Sequence, residues 1–431
     1  MPIGASTNGG NGAAFTRWTG AVFVFNLIVG VGALTLPLAF ARGGLLLGTI
    51  LLATCGIVAF VCVTFVIEAR AVSEHMSGRS EITDMTTTLL GKRQSFLCTV
   101  ALIIYLYGDL SIYAVSVART LSAFFYPDGY QVCLAGFALA VGPFCFMTFS
   151  NTKPLQYATL LIRNVALALM ISFAIVRATT VSRDISRPVN MFSLPDIPVA
   201  FGACVYSYMC HHSVPGIISL IKNKARLVAI FAWDYVLITM VYMTLCITAV
   251  VAFGSHQKEL YTLNFGYLKD VGLIWMADFL ELFPIFSLTS NFPLIAITLR
   301  NNLISISRRH HDDSVGDVQQ QGLLGTDARR SNSRWHWYSL LAGVPPIVIA
   351  ALVTNVDILV AVTGSYAGIV IQFVIPALLI RAARRVKFEE PFTNAQASPF
   401  QHRWWPLFVL GFALASTLLV SISLIQRLAH Q

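Results

Sequence analysis

The ionisable side chains Asp109, Arg163, His211 and His212 stand near the middle of apolar stretches of this sequence. A carboxylate or an imidazole in such a place can exchange a proton, and a guanidinium can hold carbonyl or carboxylate oxygens. A charge at the centre of a bilayer costs about 2.5 to 3.5 kcal/mol on insertion scales, so Asp109 and Arg163 should face protein and find partners there. Tyr105, Asp109 and Tyr113 recur every four residues and share one helical face. Ser287, Ser290 and Asn291 make a second polar patch at the middle of another apolar run.

Backbone chemistry adds to this. Residues 26–37, NLIVGVGALTLP, put Gly30, Gly32 and Pro37 inside an apolar run from Trp18 to Phe40. Glycine costs a helix interior about 1 kcal/mol relative to alanine and proline about 3. In lipid, irregular backbone survives only where it is buried in protein or lines a cavity, so the glycine pair predicts a cavity. An unwound helix frees N–H groups at the positive end of a half-helix dipole, a natural receptor for a carboxylate. A second break is expected at YMCHHSVPG (208–216), where His211, His212, Pro215 and Gly216 interrupt the apolar pattern near its centre.

The elements that must position these groups are membrane helices. Over 431 residues, 56% are hydrophobic and 11% charged, with a mean hydropathy of +0.71. Apolar runs near 20 residues recur throughout, which describes an all-α polytopic membrane protein. Hydropathy predicts about eleven spans: 18–41, 44–68, 96–125, 131–149, 154–177, 199–221, 227–253, 273–299, 336–354, 357–381 and 404–426. The two breaks fall in the first and sixth, the offset expected of two inverted five-helix repeats, 18–177 and 199–381, with the eleventh helix at 404–426 added. The basic residues gather on the side that holds the N-terminus, as in Arg381, Arg384, Arg385 and Lys387, so the N-terminus is expected to be cytoplasmic.

This topology accounts for the net charge of +9 without a nucleic-acid partner. The 8 cysteines lie in or beside apolar runs and imply no disulfide framework. No second histidine cluster at metal spacing and no protease or acyltransferase motif is present, so no enzyme, metal or cofactor is expected. Residues 1–17 are read as a disordered cytoplasmic N-terminus and 307–334 as a disordered cytoplasmic loop. EITDMTTTLLGK (81–92) reads as a short interfacial helix capped by Ser80 and stopped by Gly91.

The runs NLIVGVGALTLPLAFARGG, IIYLYGDLSIYA, CVYSYMCHHSVPGII and LFPIFSLTSNFPLIAITLRNN resemble the transmembrane protein 104 family, an orphan branch of the amino acid/auxin permeases, over nearly the whole chain. The resemblance implies a leucine-transporter-like fold with broken first and sixth helices and transport of a small-molecule substrate, by default a small neutral amino acid. The implied substrate site comprises Asn26, Gly30, Val31, Gly32, Ala33, Tyr105, Cys210, His211, His212, Ser213 and Ser287. A sodium site of the common kind would use first-span carbonyls with Thr289 and Ser290. Arg163 would put a fixed cation there instead. Arginine does not release its proton, so coupling falls to Asp109 or His212, because low dielectric disfavours a charged carboxylate and histidine titrates near neutrality. The expectation is therefore a proton-coupled, sodium-independent symporter in an endolysosomal or plasma membrane. The alternative is a transport-dead nutrient sensor or interaction protein of the same fold.

Overall fold

The computed structural model describes residues 15–429 apart from 79, 127, 181–189, 194, 255, 256, 259, 315–326, 355–358, 360–362, 364, 365 and 389–392. Helices α1 (Arg17–Ile28) and α2 (Val31–Gly43) meet at a bend of 47°. Helical bonding stops where the glycines begin: the Val29 N–H still reaches Phe25 O, but the Gly30 N–H turns back to Ile28 O at 2.9 Å. There follow α3 (Leu45–Ser77), α4 (Ile82–Leu89), α5 (Lys92–Phe125), α6 (Tyr130–Cys145) and α7 (Lys153–Thr180). The second half holds α8 (Ile197–Ser207), α9 (Val214–Ser219), α10 (Leu227–Phe253), α11 (Ile274–Ser314) and α12 (Asp327–Leu352). A π-helical stretch, Val370–Val374, then runs into the helix Ile375–Ala383, and the last helix is Trp404–Ala429.

Among the described residues, 7 helices are long and apolar enough to cross a membrane, and up to 8 if the bent pair α1–α2 is one span. Burial separates inner from outer helices. In α5 and α11 the apolar stretch is 72% and 78% buried, against 22% in α12 and 28% in the last helix. The outer helices turn side chains such as Leu139, Leu352 and Leu414 outward. Within the bundle α11 packs on α5, α2 on α8, α10 on α7, and the helix Ile375–Ala383 on α3.

Three expectations change. Residues 15–17 are ordered: the Phe15 N–H donates to Leu220 O at 2.9 Å, Phe15 O accepts from the Lys222 N–H at 3.2 Å, and Thr16 caps α1. The buried Phe15 ring, packed 4.8 Å from the Phe23 centroid, is what ties this end down. Residues 1–14 lie outside the described residues. The stretch 307–334 is helical at both ends, since α11 continues to Ser314 and α12 starts at Asp327. A helix that leaves the bilayer keeps its backbone bonds internally and has no reason to stop at the headgroups. Residues 315–326 lie outside the described set. Finally, α4 is capped by Glu81, which forms a capping box with Asp84, and its C-cap is Leu90; Gly91 is the N-cap of α5.

Candidate functional site

Two polar networks meet at the break between α1 and α2. The first is built on Arg163 of α7, which is fully buried. Its Nη1 donates to Asn26 O at 2.6 Å and to Asn26 Oδ1 at 3.2 Å, and its Nη2 donates to Ser287 Oγ at 2.7 Å. Asn26 Nδ2 in turn donates to Gln156 O and Oε1 at 2.8 and 2.9 Å, Gln156 Nε2 to Ser290 O at 3.1 Å, and Asn291 Nδ2 to Asn26 O at 2.8 Å. All the acceptors of Arg163 are neutral. Its charge is balanced by oxygen dipoles, including a carbonyl in the last turn of α1, where the helix dipole favours a cation. The orphan carbonyls made by ending α1 early are satisfied in this way, and Ile28 O accepts from Tyr242 Oη at 2.9 Å.

The second network surrounds Asp109 of α5, which is buried and accepts from Tyr206 Oη at 2.9 Å. The two come together across Gly30. A Cβ there would lie 3.5 Å from Tyr113 Oη and 3.7 Å from Asn291 Nδ2, so these groups flank the glycine. Asp109 and Arg163 thus each find partners, but through separate neighbours and without an ion pair to each other.

Between the networks lies a cavity of about 10 Å³ lined by Gly30, Val31, Gly32, Tyr105, Asp109, Tyr113, Tyr206 and His212, with Leu27, Ile28, Met209 and Ile295 as its apolar wall. That volume holds about one water molecule. An amino acid fits only if the walls part. The Val31 and Gly32 N–H groups stand in the first turn of α2, where a helix offers no intrahelical acceptor. His212 is 1% exposed, neither ring nitrogen has a hydrogen-bond partner among the described residues, and its ring lies 5.4 Å from that of Tyr105.

Of the sequence-predicted substrate residues, Gly30, Val31, Gly32, Tyr105 and His212 line this cavity, and Asp109, expected for coupling, joins them. The others face elsewhere. Asn26 and Ser287 hold Arg163; Cys210 Sγ lies 3.3 Å from Tyr235 Oη; His211 Nε2 is 3.0 Å from Ala59 O; Ser213 Oγ is 2.8 Å from Thr298 Oγ1; and Ala33 is buried off the cavity. Thr289 is not among the partners of Arg163, and the Ser290 hydroxyl bonds back to Ser287 O at 2.9 Å. The α11 hydroxyl that meets Arg163 is thus that of Ser287. The reason is helical phase: Thr289 lies about 200° round α11 from Ser287. Tyr113 lines the cavity on the helical face it shares with Tyr105 and Asp109, while Tyr206, Met209 and Gln156 were not anticipated. Only Gln156 carried a signal, as a polar residue inside an apolar run, since an aromatic or methionine in such a run reads as packing.

Long apolar helices packed around a buried polar cavity, with α1 and α2 bent by 47° beside it, define a multi-pass membrane protein with an internal polar site. The comparisons specify it further. Residues 14–426 match the family described as transmembrane amino acid transporter protein, and the chain belongs to that family. It is 32% identical to Transmembrane protein 104 of Homo sapiens over 96% of this chain and 97% of that one. Similarity to the Transmembrane protein 104 homolog of Dictyostelium discoideum is 30% over 96% and 98%. Among solved structures, the crystal structure of MhsT in complex with L-phenylalanine shares the fold, with a TM-score of 0.57 at 15% identity over 95% of this chain and 98% of that one.

Proposed function

We propose that this chain is a secondary-active symporter for small neutral amino acids or similar solutes, driven by protons and independent of sodium. Eleven crossings, two inverted five-helix repeats with broken first and sixth helices (α1–α2 and α8–α9), and a cytoplasmic N-terminus complete the reading. The observation that carries it is Arg163: its guanidinium bridges Asn26 O of α1 and Ser287 Oγ of α11, the kind of oxygen pair that would otherwise coordinate sodium. The substrate carboxylate would be received by the Val31 and Gly32 N–H groups, and a small side chain by Leu27, Ile28, Met209 and Ile295. L-phenylalanine in MhsT is consistent with an amino acid as ligand. Asp109 or His212, both on the cavity wall, would carry the proton. Opening alternately to either side would then move substrate and proton together.

Counter-flow of labelled neutral amino acids into proteoliposomes loaded with the unlabelled compound tests this. Accumulation of label supports a carrier. Ligand-dependent thermal stabilisation without any flux would instead support a sensor.

A further inference from the structure

Away from the central cavity, a groove of about 440 Å³ opens between the turn joining α4 to α5 and the end of the helix Ile375–Ala383. Leu89, Leu90, Leu378 and Val386 give it an apolar wall, and Arg381 and Arg385, three and seven residues beyond Leu378 on the same stretch of chain, border it. The intervening Arg384 is engaged, its Nε and Nη2 donating to the Glu68 carboxylate at 2.8 and 2.9 Å. Arg381 and Arg385 have no hydrogen-bond or ion-pair partner among the described residues, and both border the groove. Its depth in the membrane follows from the sequence beside it. Exposed Lys92 and Arg93 open α5, and exposed Phe96 and Leu97 follow within one turn, which marks the passage from headgroup to acyl chain.

From this we infer that the groove binds one anionic phospholipid, its phosphate between Arg381 and Arg385 and its acyl chains against Leu89, Leu90 and Leu378. Two guanidinium groups without a partner among the described residues match a phosphate diester in charge and in fork geometry, and the apolar wall matches the chain below it. A soluble anion would leave that wall uncovered. Under the orientation proposed above, the groove lies in the cytoplasmic leaflet, where anionic lipid is concentrated. The groove is also linked to the central site. Helix α4, which forms one lip, bonds to α11 through Thr83 with Asn302 and Ser305 with Asp84, so a lipid seated there bears on a helix of the central site.

Reconstitution of the full chain in bilayers of equal phosphatidylserine and phosphatidylcholine, then mild detergent extraction and native mass spectrometry, reads this directly and does not depend on transport activity. The intact chain should retain one phosphatidylserine in preference to phosphatidylcholine. The Arg381→Gln/Arg385→Gln pair should bind it about thirtyfold more weakly, from about 1 kcal/mol per basic group, with an unchanged melting temperature. A control pair, Lys222→Gln/Arg403→Gln, removes the same charge from exposed positions outside the groove and should have no effect. Equal retention by the arginine pair and the intact chain overturns the inference, as does an equal loss in the control. Displacement of the lipid by inorganic phosphate would show a site for a free anion.

Discussion

Gly32→Ala and Gly30→Ala, two residues apart at the break, should differ sharply in stability. A Cβ on Gly32 would lie 2.7 Å from Ser207 Cα and Oγ and 3.0 Å from Ser207 Cβ, against an ordinary carbon contact of about 3.5 to 4.0 Å. The first of these is a backbone atom and cannot rotate away, so α2 and α8 must separate by roughly 1 Å. Overpacking of this kind costs about 1 to 3 kcal/mol, and a rigid neighbour places it at about 3. Better helix propensity returns about 1 kcal/mol, leaving a net loss of roughly 2 kcal/mol. On Gly30 the added methyl meets only Tyr113 Oη at 3.5 Å and Asn291 Nδ2 at 3.7 Å, ordinary contacts. That variant should stay within about 0.5 kcal/mol of the parent while crowding the cavity and weakening substrate binding. Thermal unfolding of the purified proteins, followed by size-exclusion chromatography with fluorescence detection, measures the difference. Equal melting temperatures for the two variants, or a lower one for Gly30→Ala, would refute the packing assigned to α2 and α8.

Arg163→Ala should lower uptake by about tenfold to a hundredfold, the equivalent of one lost charged hydrogen bond of about 1.5 to 3 kcal/mol, without making it sodium-stimulated; a gain of sodium dependence would show that the cation alone excludes the ion. Asp109→Asn should flatten the pH dependence of uptake while exchange of substrate persists, and an unaltered pH profile would move the proton to His212. Burial pushes the Glu81 carboxyl, at the start of α4, up to about 7 from its ordinary 4.5, although the Asn301 amide favours its charged form. The folded state then binds more protons than the unfolded one between those two values, so this residue's contribution to stability falls as pH rises from 4.5 to about 7 and is constant above. In Glu81→Gln, which keeps an acceptor oxygen for the cap, the melting temperature should depend less on pH across that window; an identical slope would contradict the burial.

Much of the site was legible because it runs against its surroundings. Gly30 and Gly32 stand out in an apolar run since lipid gives their backbone no water, and Asp109 and Arg163 stand out because an unsolvated charge is costly. Direction was harder to read. On the continuous helix α11, 100° per residue turns Thr289 away from Ser287, but Ser290 shares the face of Ser287, so phase excludes Thr289 and does not choose between the two serines. Between α8 and α9 there is no helix to supply a phase, so nothing in the sequence tells that His212 faces the cavity while His211 faces Ala59. Tyr206 and Met209 carry no sequence signal, because an aromatic or a methionine within an apolar run has the same pattern whether it lines a cavity or packs in the core. Helix ends in water were also misjudged, as apolarity marks the bilayer and not the last hydrogen bond of α3 or α11.

The driving ion tests the account most directly. A sodium ion about 4 Å from the Arg163 guanidinium, at an effective dielectric of about 20, is opposed by roughly 4 kcal/mol, about a thousandfold in affinity. Uptake of a labelled neutral amino acid should therefore be measured in proteoliposomes with sodium or choline outside, at pH values about one unit either side of the histidine reference of about 6.5. The account predicts equal uptake in the two salts and faster uptake at the lower pH on the entry side. Uptake that requires sodium and does not change with pH would contradict it.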